Sequence, residues 1–364
     1  MIESWKLKRE LRRIAEHVSA IPLLVYEPIF QKIYDKNIFK NLAVLHGEKQ
    51  ASKQIAIFLI YQPNGLPDSI FLTLSHLAKS GFSPVVISNS PISTQDKERL
   101  RPESSLIVER MNFGYDFGGY RDAVWLLRNL EIECYKILFL NDSVWFPVFD
   151  NSKLLEQMLA SDSDYVGTQE FGEPEANRLL NGFFGSYCFL VNKKLIEDNA
   201  FYMFWDNYQL SSSKEIVLRR GERKFSREMI KASASHNAIY SNKIFFKLVN
   251  ELNLTETITA LEELIALNPQ IYAEKNVLIN SLHKNESWLL RAKELIILQS
   301  KSKNFIGSSP ILSLNKLGFP MIKKNNEQLY LKARKLIIDS IDSGRLQGIN
   351  KTIEAEIRLN SLLN

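Results

Sequence analysis

The sequence predicts an α/β fold built on a mostly parallel sheet with helices on both faces. Three observations predict it. Residues 53–250 alternate apolar runs of strand length with segments of helical period. The first run, KQIAIFLIY, is apolar almost throughout, as a strand buried on both faces must be. The order strand, helix, strand, helix is that of parallel strands joined by crossover helices.

Taken in order, KQIAIFLIY is the first strand of this region and PDSIFLTLSHLAKSGF the helix after it, with Ile70, Leu74, Leu77 and Ala78 on one face and Gly81 at its end. SPVVISNS is the second strand, TQDKERLRP a short helix and SSLIVER the third strand. RMNFGYDFGGYRDAVWLL begins as a glycine-rich turn and becomes a helix near Gly119, on the spacing of Tyr120, Ala123, Val124 and Leu127. YKILFLNDSVWFP is the fourth strand. Residues 1–50 read as a helical N-terminal segment, 51–250 as the α/β domain, and 251–364 as a mostly helical C-terminal region.

Composition narrows the function. Of the 364 residues 45% are hydrophobic, enough for a sizeable core without disulfides. The two cysteines, Cys134 and Cys188, adjoin apolar runs and read as buried, reduced thiols. The five histidines are scattered, with no metal-ligand spacing. A net charge of +5 is too mild to call for nucleic acid. No run is long enough to cross a membrane and no signal peptide is visible, so the default expectation is a cytoplasmic protein. The first 21 residues qualify it. Lys6, Lys8, Arg9, Arg12 and Arg13 accompany Leu7, Leu11, Ile14, Val18 and Ile21 at helical spacing. Such a basic amphipathic helix either lies on an anionic membrane, here the inner face of the cell membrane, or packs on its own domain.

Ligands of parallel sheets bind beyond the carboxyl ends of the strands. Those ends hold Tyr61, Asn89, the run from Arg110 through Asn112 to Asp116, and Asn141-Asp142-Ser143. A nicotinamide dehydrogenase needs Gly-x-Gly-x-x-Gly after the first strand and an acid after the second; YQPNGLPDS and VVISNSP supply neither. The same objection disfavours a Rossmann methyltransferase. No Gly-Lys-Ser/Thr is present for a P-loop. Glycosyl transfer from a nucleotide sugar fits better. It needs charge compensation for a leaving diphosphate, by a metal, by Arg or Lys, or by helix amides, and a carboxylate for the acceptor proton if the reaction inverts. Asp142 follows a buried strand, as an Asp-x-Asp metal motif does, but stands alone between Asn141 and Ser143. Gly114, Gly118 and Gly119 let the chain turn and approach a ligand, Asp116 offers a group to ribose or caps the helix, and Arg121 offers one to phosphate. The aromatic cluster Phe201, Tyr202, Phe204, Trp205 and Tyr208 has the spacing of a core face rather than of a sugar platform.

VERMNFGYDFGGYRDAV followed by LFLNDSVWFP resembles the rhamnan synthesis protein F family of bacterial glycosyltransferases. DYVGTQEF, NGFFGSYCFLVNKKLI, RRGERKFSREMIKA and LGFPMIKKN are similar to its later segments, and the N-terminal LKRELRRIAEHV to parts of longer members. Met111 and Ala123 stand where that family commonly has proline and glycine. The resemblance implies a GT-A-like, Rossmann-type domain and transfer of a nucleotide-activated sugar, dTDP-L-rhamnose in the first place, onto a lipid-linked or polysaccharide acceptor. Asn112, Gly114, Asp116, Gly118 and Arg121 match its first motif, and Asn141, Asp142 and Ser143 its second.

On this reading the enzyme inverts. Asp142 binds a divalent cation, Mg²⁺ or Mn²⁺, or the sugar itself. Asp116 and Asn112 hold the nucleotide, Arg121 lies near the diphosphate, and Tyr61 and Asn89 line the donor side. Glu222 is the candidate general base, before a helix capped by Ser226, with Glu170 as its rival. The alternative is a catalytically silent nucleotide-sugar-binding or scaffold subunit, which the single carboxylate of Asn-Asp-Ser favours.

Overall fold

The computed structural model describes residues 26–172, 182–232 and 235–362. The basic amphipathic segment of residues 1–21 lies outside the described residues. The strands are β1 (Ala43–His46), β2 (Gln54–Ile60), β3 (Ser83–Ser88), β4 (Leu106–Glu109), β5 (Lys136–Asn141), β6 (Val144–Trp145), β7 (Tyr165–Phe171), β8 (Phe183–Phe184), β9 (Cys188–Asn192), β10 (His236–Tyr240) and β11 (Ile322–Lys323). The main sheet has the order β1-β4-β3-β2-β5-β9-β7-β10, with β8 on β7.

The four strands read from the sequence, β2 to β5, are parallel neighbours. Beyond them the sheet is mixed: β1 runs antiparallel to β4, and β9 runs antiparallel to both β5 and β7. The chain steps outward from β2 to β3 to β4, then returns to place β5 on the other side of β2. That reversal opens a crevice at the carboxyl ends of β2 and β5.

Alternation along β2 shows how one apolar run serves two layers. Ala56, Phe58 and Ile60 face a core completed by helices Asp68–Lys79, Leu254–Glu262 and Glu286–Lys303. Ile55, Ile57 and Leu59 face a second core with helices Tyr115–Asn129 and Asn199–Asp206. Phe201, Phe204, Trp205 and Tyr208 are buried there, and Trp205 stacks on Phe117 at 5.9 Å, so the aromatic cluster is core. Cys188 is buried and Cys134 half-buried, both free.

The C-terminal region is not an appendage. Its helices cover one face of the sheet, and it also contains a strand, because β11 pairs antiparallel with β6 directly after Asn141-Asp142-Ser143. Residues 43–46 likewise leave the N-terminal segment to form the edge strand β1. Among the described residues no helix is long and apolar enough to cross a membrane.

Candidate active site

The helix expected to start near Gly119 starts at Tyr115, on Gly114 with φ +90° and Tyr115 with φ +50°. Asp116 therefore stands in its first turn. Its Oδ1 accepts from Phe117 N–H at 2.9 Å, and its Oδ2 accepts from Ser186 Oγ at 3.2 Å and Asn141 Nδ2 at 3.4 Å. Ser186 also donates its backbone N–H to Glu222 Oε1 at 2.7 Å. One serine thus joins two carboxylates that lie far apart in sequence. Burial, and then the negative charge of Glu222, push the Asp116 carboxyl up to about 6.

Glu222 reaches this position through a helical irregularity. The chain widens into a π turn over Leu218–Arg223, a feature common at functional sites. A Cβ on Gly221 would lie 2.5 Å from the Phe117 ring, so only glycine lets this turn rest on the helix that carries Asp116. Ser226 does not cap the next helix, as the sequence suggested. The helix runs on from the π turn, and Ser226 is buried, with its Oγ 3.0 Å from Tyr165 OH and accepting from Phe184 N–H at 3.1 Å.

Asp116, Asn141, Ser143, Ser186 and Glu222 line one cleft of about 620 Å³. Its opposite wall comes from the C-terminal region, as Lys323, Lys324 and the residues after them. Lys324 N–H bonds to Ser143 O at 2.9 Å, which ties that wall to the end of β5. Lys323, Lys324 and Ser186 are site residues that no motif in the sequence assigns. The available signal was two adjacent lysines closing the short apolar element of LGFPMIKKN.

Asp142 lies beside this group rather than in it. Its Oδ2 accepts from Tyr61 N–H at 2.8 Å and Gln62 Nε2 at 2.7 Å, joining the ends of β5 and β2. Burial holds its carboxyl above the usual range, against those hydrogen bonds and the nearby Lys324. A divalent cation needs several oxygen or nitrogen ligands. Among the described residues no three His, Cys, Asp or Glu side chains are grouped to hold one. The groups around Asp142 are N–H donors and an ammonium, so this donor set does not fit a metal. Tyr61 presents its backbone N–H to Asp142, while its ring is exposed.

The structure corrects further expectations. Arg121 does not face a phosphate. It is fully buried behind the sheet, where it pairs with Asp35 and Asp122, each at 2.8 Å. Asn89 is committed to the fold, since its Oδ1 accepts from Arg110 at 2.6 Å and its Nδ2 donates to Tyr115 O at 3.1 Å. Gly118 and Gly119 make room for protein, not ligand: added Cβ atoms would lie 2.1 Å from Phe113 O and 2.0 Å from Leu59 Cδ1. Glu170 lines a different cleft, with Lys243, Phe246 and Lys247. Asn112 is exposed and Gly114 buried, and neither lines the cleft of Asp116 and Glu222.

A family model described as rhamnan synthesis protein F matches residues 84–257. A protein of Sinorhizobium fredii (strain NBRC 101917 / NGR234), described as uncharacterized protein y4gN, is 30% identical over 361 residues, which are 98% of this chain and 92% of that one. Among solved structures, the galactosyltransferase LgtC in complex with donor and acceptor sugar analogs is similar at 13% identity with a TM-score of 0.29. The match covers 66% of this chain and 83% of that one. That structural likeness is too distant to bear on the site.

Proposed function

Since the chain belongs to the rhamnan synthesis protein F family, we propose that it is a glycosyltransferase, moving a sugar from a nucleotide-activated donor onto a growing bacterial surface polysaccharide. The observation that carries the reading is the cleft itself. Two carboxylates joined through Ser186, Asp116 and Glu222, face Lys323 and Lys324 across it, at the carboxyl end of the sheet.

Each part has a task in an inverting displacement. Glu222 Oε1 is held by the Ser186 N–H, and its other oxygen makes no hydrogen bond among the described residues. That oxygen takes the acceptor hydroxyl proton as the acceptor oxygen attacks the anomeric carbon. The bond from that carbon to the diphosphate breaks on the opposite side. Asp116, held by Asn141 and Ser186, receives hydroxyl groups of the donor. The donor placed first is dTDP-L-rhamnose, and the acceptor a lipid-linked or polysaccharide chain. Residues 1–21 would then serve as a peripheral contact with an anionic membrane.

A thermal-shift screen of nucleotide sugars, each with and without Mg²⁺ or Mn²⁺, tests the reading. A stabilising shift with one donor, followed by release of its nucleoside diphosphate when acceptor is added, is the expected result. No shift with any donor would reject the proposal. Tight donor binding with neither transfer nor hydrolysis would make the protein a donor-binding subunit.

A further inference from the structure

Four charged residues lining the cleft have no part in the displacement above: Lys214, Glu327, and the two lysines of β11 and its exit, which stand on the wall opposite the carboxylates. Lys323 sits opposite Val144 in the β6–β11 ladder. Its Nζ lies 3.4 Å from the centroid of the Tyr187 ring, and it forms no ion pair among the described residues. Lys324 Nζ reaches Ser69 Oγ at 3.4 Å, at the start of helix Asp68–Lys79. The backbone carrying both lysines is held from behind by Arg334, which is 1% exposed. Its guanidinium donates to Lys323 O at 3.2 Å, Asn325 O at 2.7 Å and Asn326 Oδ1 at 3.0 Å. The two terminal nitrogens of the guanidinium thus build the wall, and the two lysine side chains remain lining the cleft.

A departing nucleoside diphosphate needs positive charge, and a metal ion is one of several ways to supply it. The donor set around Asp142 does not suit a metal, whereas the opposite wall carries two lysine amines, one on the β6–β11 ladder and one at its exit. We propose that Lys323 and Lys324 bind the diphosphate of the donor and compensate its charge as it leaves; this rests on reading the cleft as a nucleotide-sugar site. Burial, helped by the like charge of Lys214, pushes the Lys323 amine down to about 7, against the attraction of Glu222 and Asp116. An arriving diphosphate therefore draws a proton onto this lysine at mildly alkaline pH.

The test is calorimetric titration of the full chain, in EDTA, with dTDP, UDP, GDP, the matching monophosphates and inorganic pyrophosphate. One diphosphate is expected to bind more tightly than its monophosphate, with proton uptake near pH 8 that shows as a dependence on buffer ionisation enthalpy. Lys323→Met should weaken that diphosphate on the order of tenfold or more and remove the proton uptake. Lys324→Gln, at a residue already in contact with Ser69, should weaken it less, and Lys323→Arg should retain binding without the uptake. Circular dichroism melting checks that each variant is folded. Unchanged diphosphate affinity in both Lys323→Met and Lys324→Gln would overturn the inference and leave the proposed function standing. So would a wild-type protein that prefers the diphosphate only when Mg²⁺ or Mn²⁺ is added. A wild-type protein that binds no nucleotide under any condition would reject both.

Discussion

Helix Tyr115–Asn129 carries charge on two sides, and the two sides behave differently. Behind the sheet, Asp122 accepts from Arg110 Nε at 2.7 Å, Tyr34 OH at 2.6 Å, and Arg121 Nε and NH2 at 3.0 and 2.8 Å. Both arginines and the aspartate are fully buried. Nearer the start of the helix, Asp116 faces the cleft, where the charge that moves it most is the like charge of Glu222, and it forms no ion pair among the described residues. The first cluster is closed and joins opposite charges; the second is open and sets like charges side by side. A buried cluster of opposite charges is costly to break, while an open pair of like charges marks a candidate ligand site. The motif resemblance does not separate them, because both lie in or beside the same glycine-rich stretch.

Four substitutions put that contrast to the test. The largest effect is expected for Asp122→Ala, which leaves Arg110 and Arg121 buried without their shared acceptor. It should cost about 3–5 kcal/mol in denaturant unfolding. A loss below about 1 kcal/mol would mean that the back cluster is not structural.

Glu222→Gln should lower kcat about 10²-fold or more and change unfolding stability by less than about 0.5 kcal/mol. Near-normal turnover would remove Glu222 from the role of base.

Asp116→Asn should stabilise the protein at neutral pH. The folded carboxyl is raised to about 6 from an ordinary 3.8, so the fold favours the protonated form and the ionised form is penalised above pH 6. The gain at pH 7 is at most about 3 kcal/mol, shrinks as pH falls from 6 to 4, and is absent below pH 4. Melting temperatures measured across that range check the sign, and a variant less stable than wild type at pH 7 contradicts it.

The smallest effect belongs to Arg128→Ala. This residue pairs with Asp206 at 2.8 Å, with both side chains more than 40% exposed. About 0.5 kcal/mol is expected, falling further in high salt. A loss near that of Asp122→Ala would show that burial is not what distinguishes the clusters.

Much of this was legible in the chain. Buried strands read as apolar runs because both faces of each must meet a helix layer, and β2 to β5 have that form. Asp116, Asn141, Ser143 and Glu222 were singled out by position at strand ends and by resemblance, and the fold assembles them in one cleft. Arg121 was misplaced because motif reading does not say which way a helical residue points. The helix begins at Tyr115, and by its second turn it has carried Arg121 round behind the sheet. Gly118 and Gly119 looked like ligand contacts because close approach to protein and to ligand demand the same residue. The lysines at 323 and 324 were missed because they lie about 180 residues from Asn141, with only a two-residue strand pairing to bring them back.

Local periodicity was enough to establish the alternation of elements, the two-sided burial of the central strands and the residues at their carboxyl ends, because each short segment carries that signal on its own. Which charges are consumed by the fold and which stay available was settled only by tertiary packing. Arg110, Arg121 and Arg334 are taken up in holding backbone and carboxylates, whereas Asp116, Glu222 and Lys323 meet across an open cleft. The physical reason is that a charge acts through its surroundings. Its partner, its burial and its neighbours of like sign come from segments that only folding brings together.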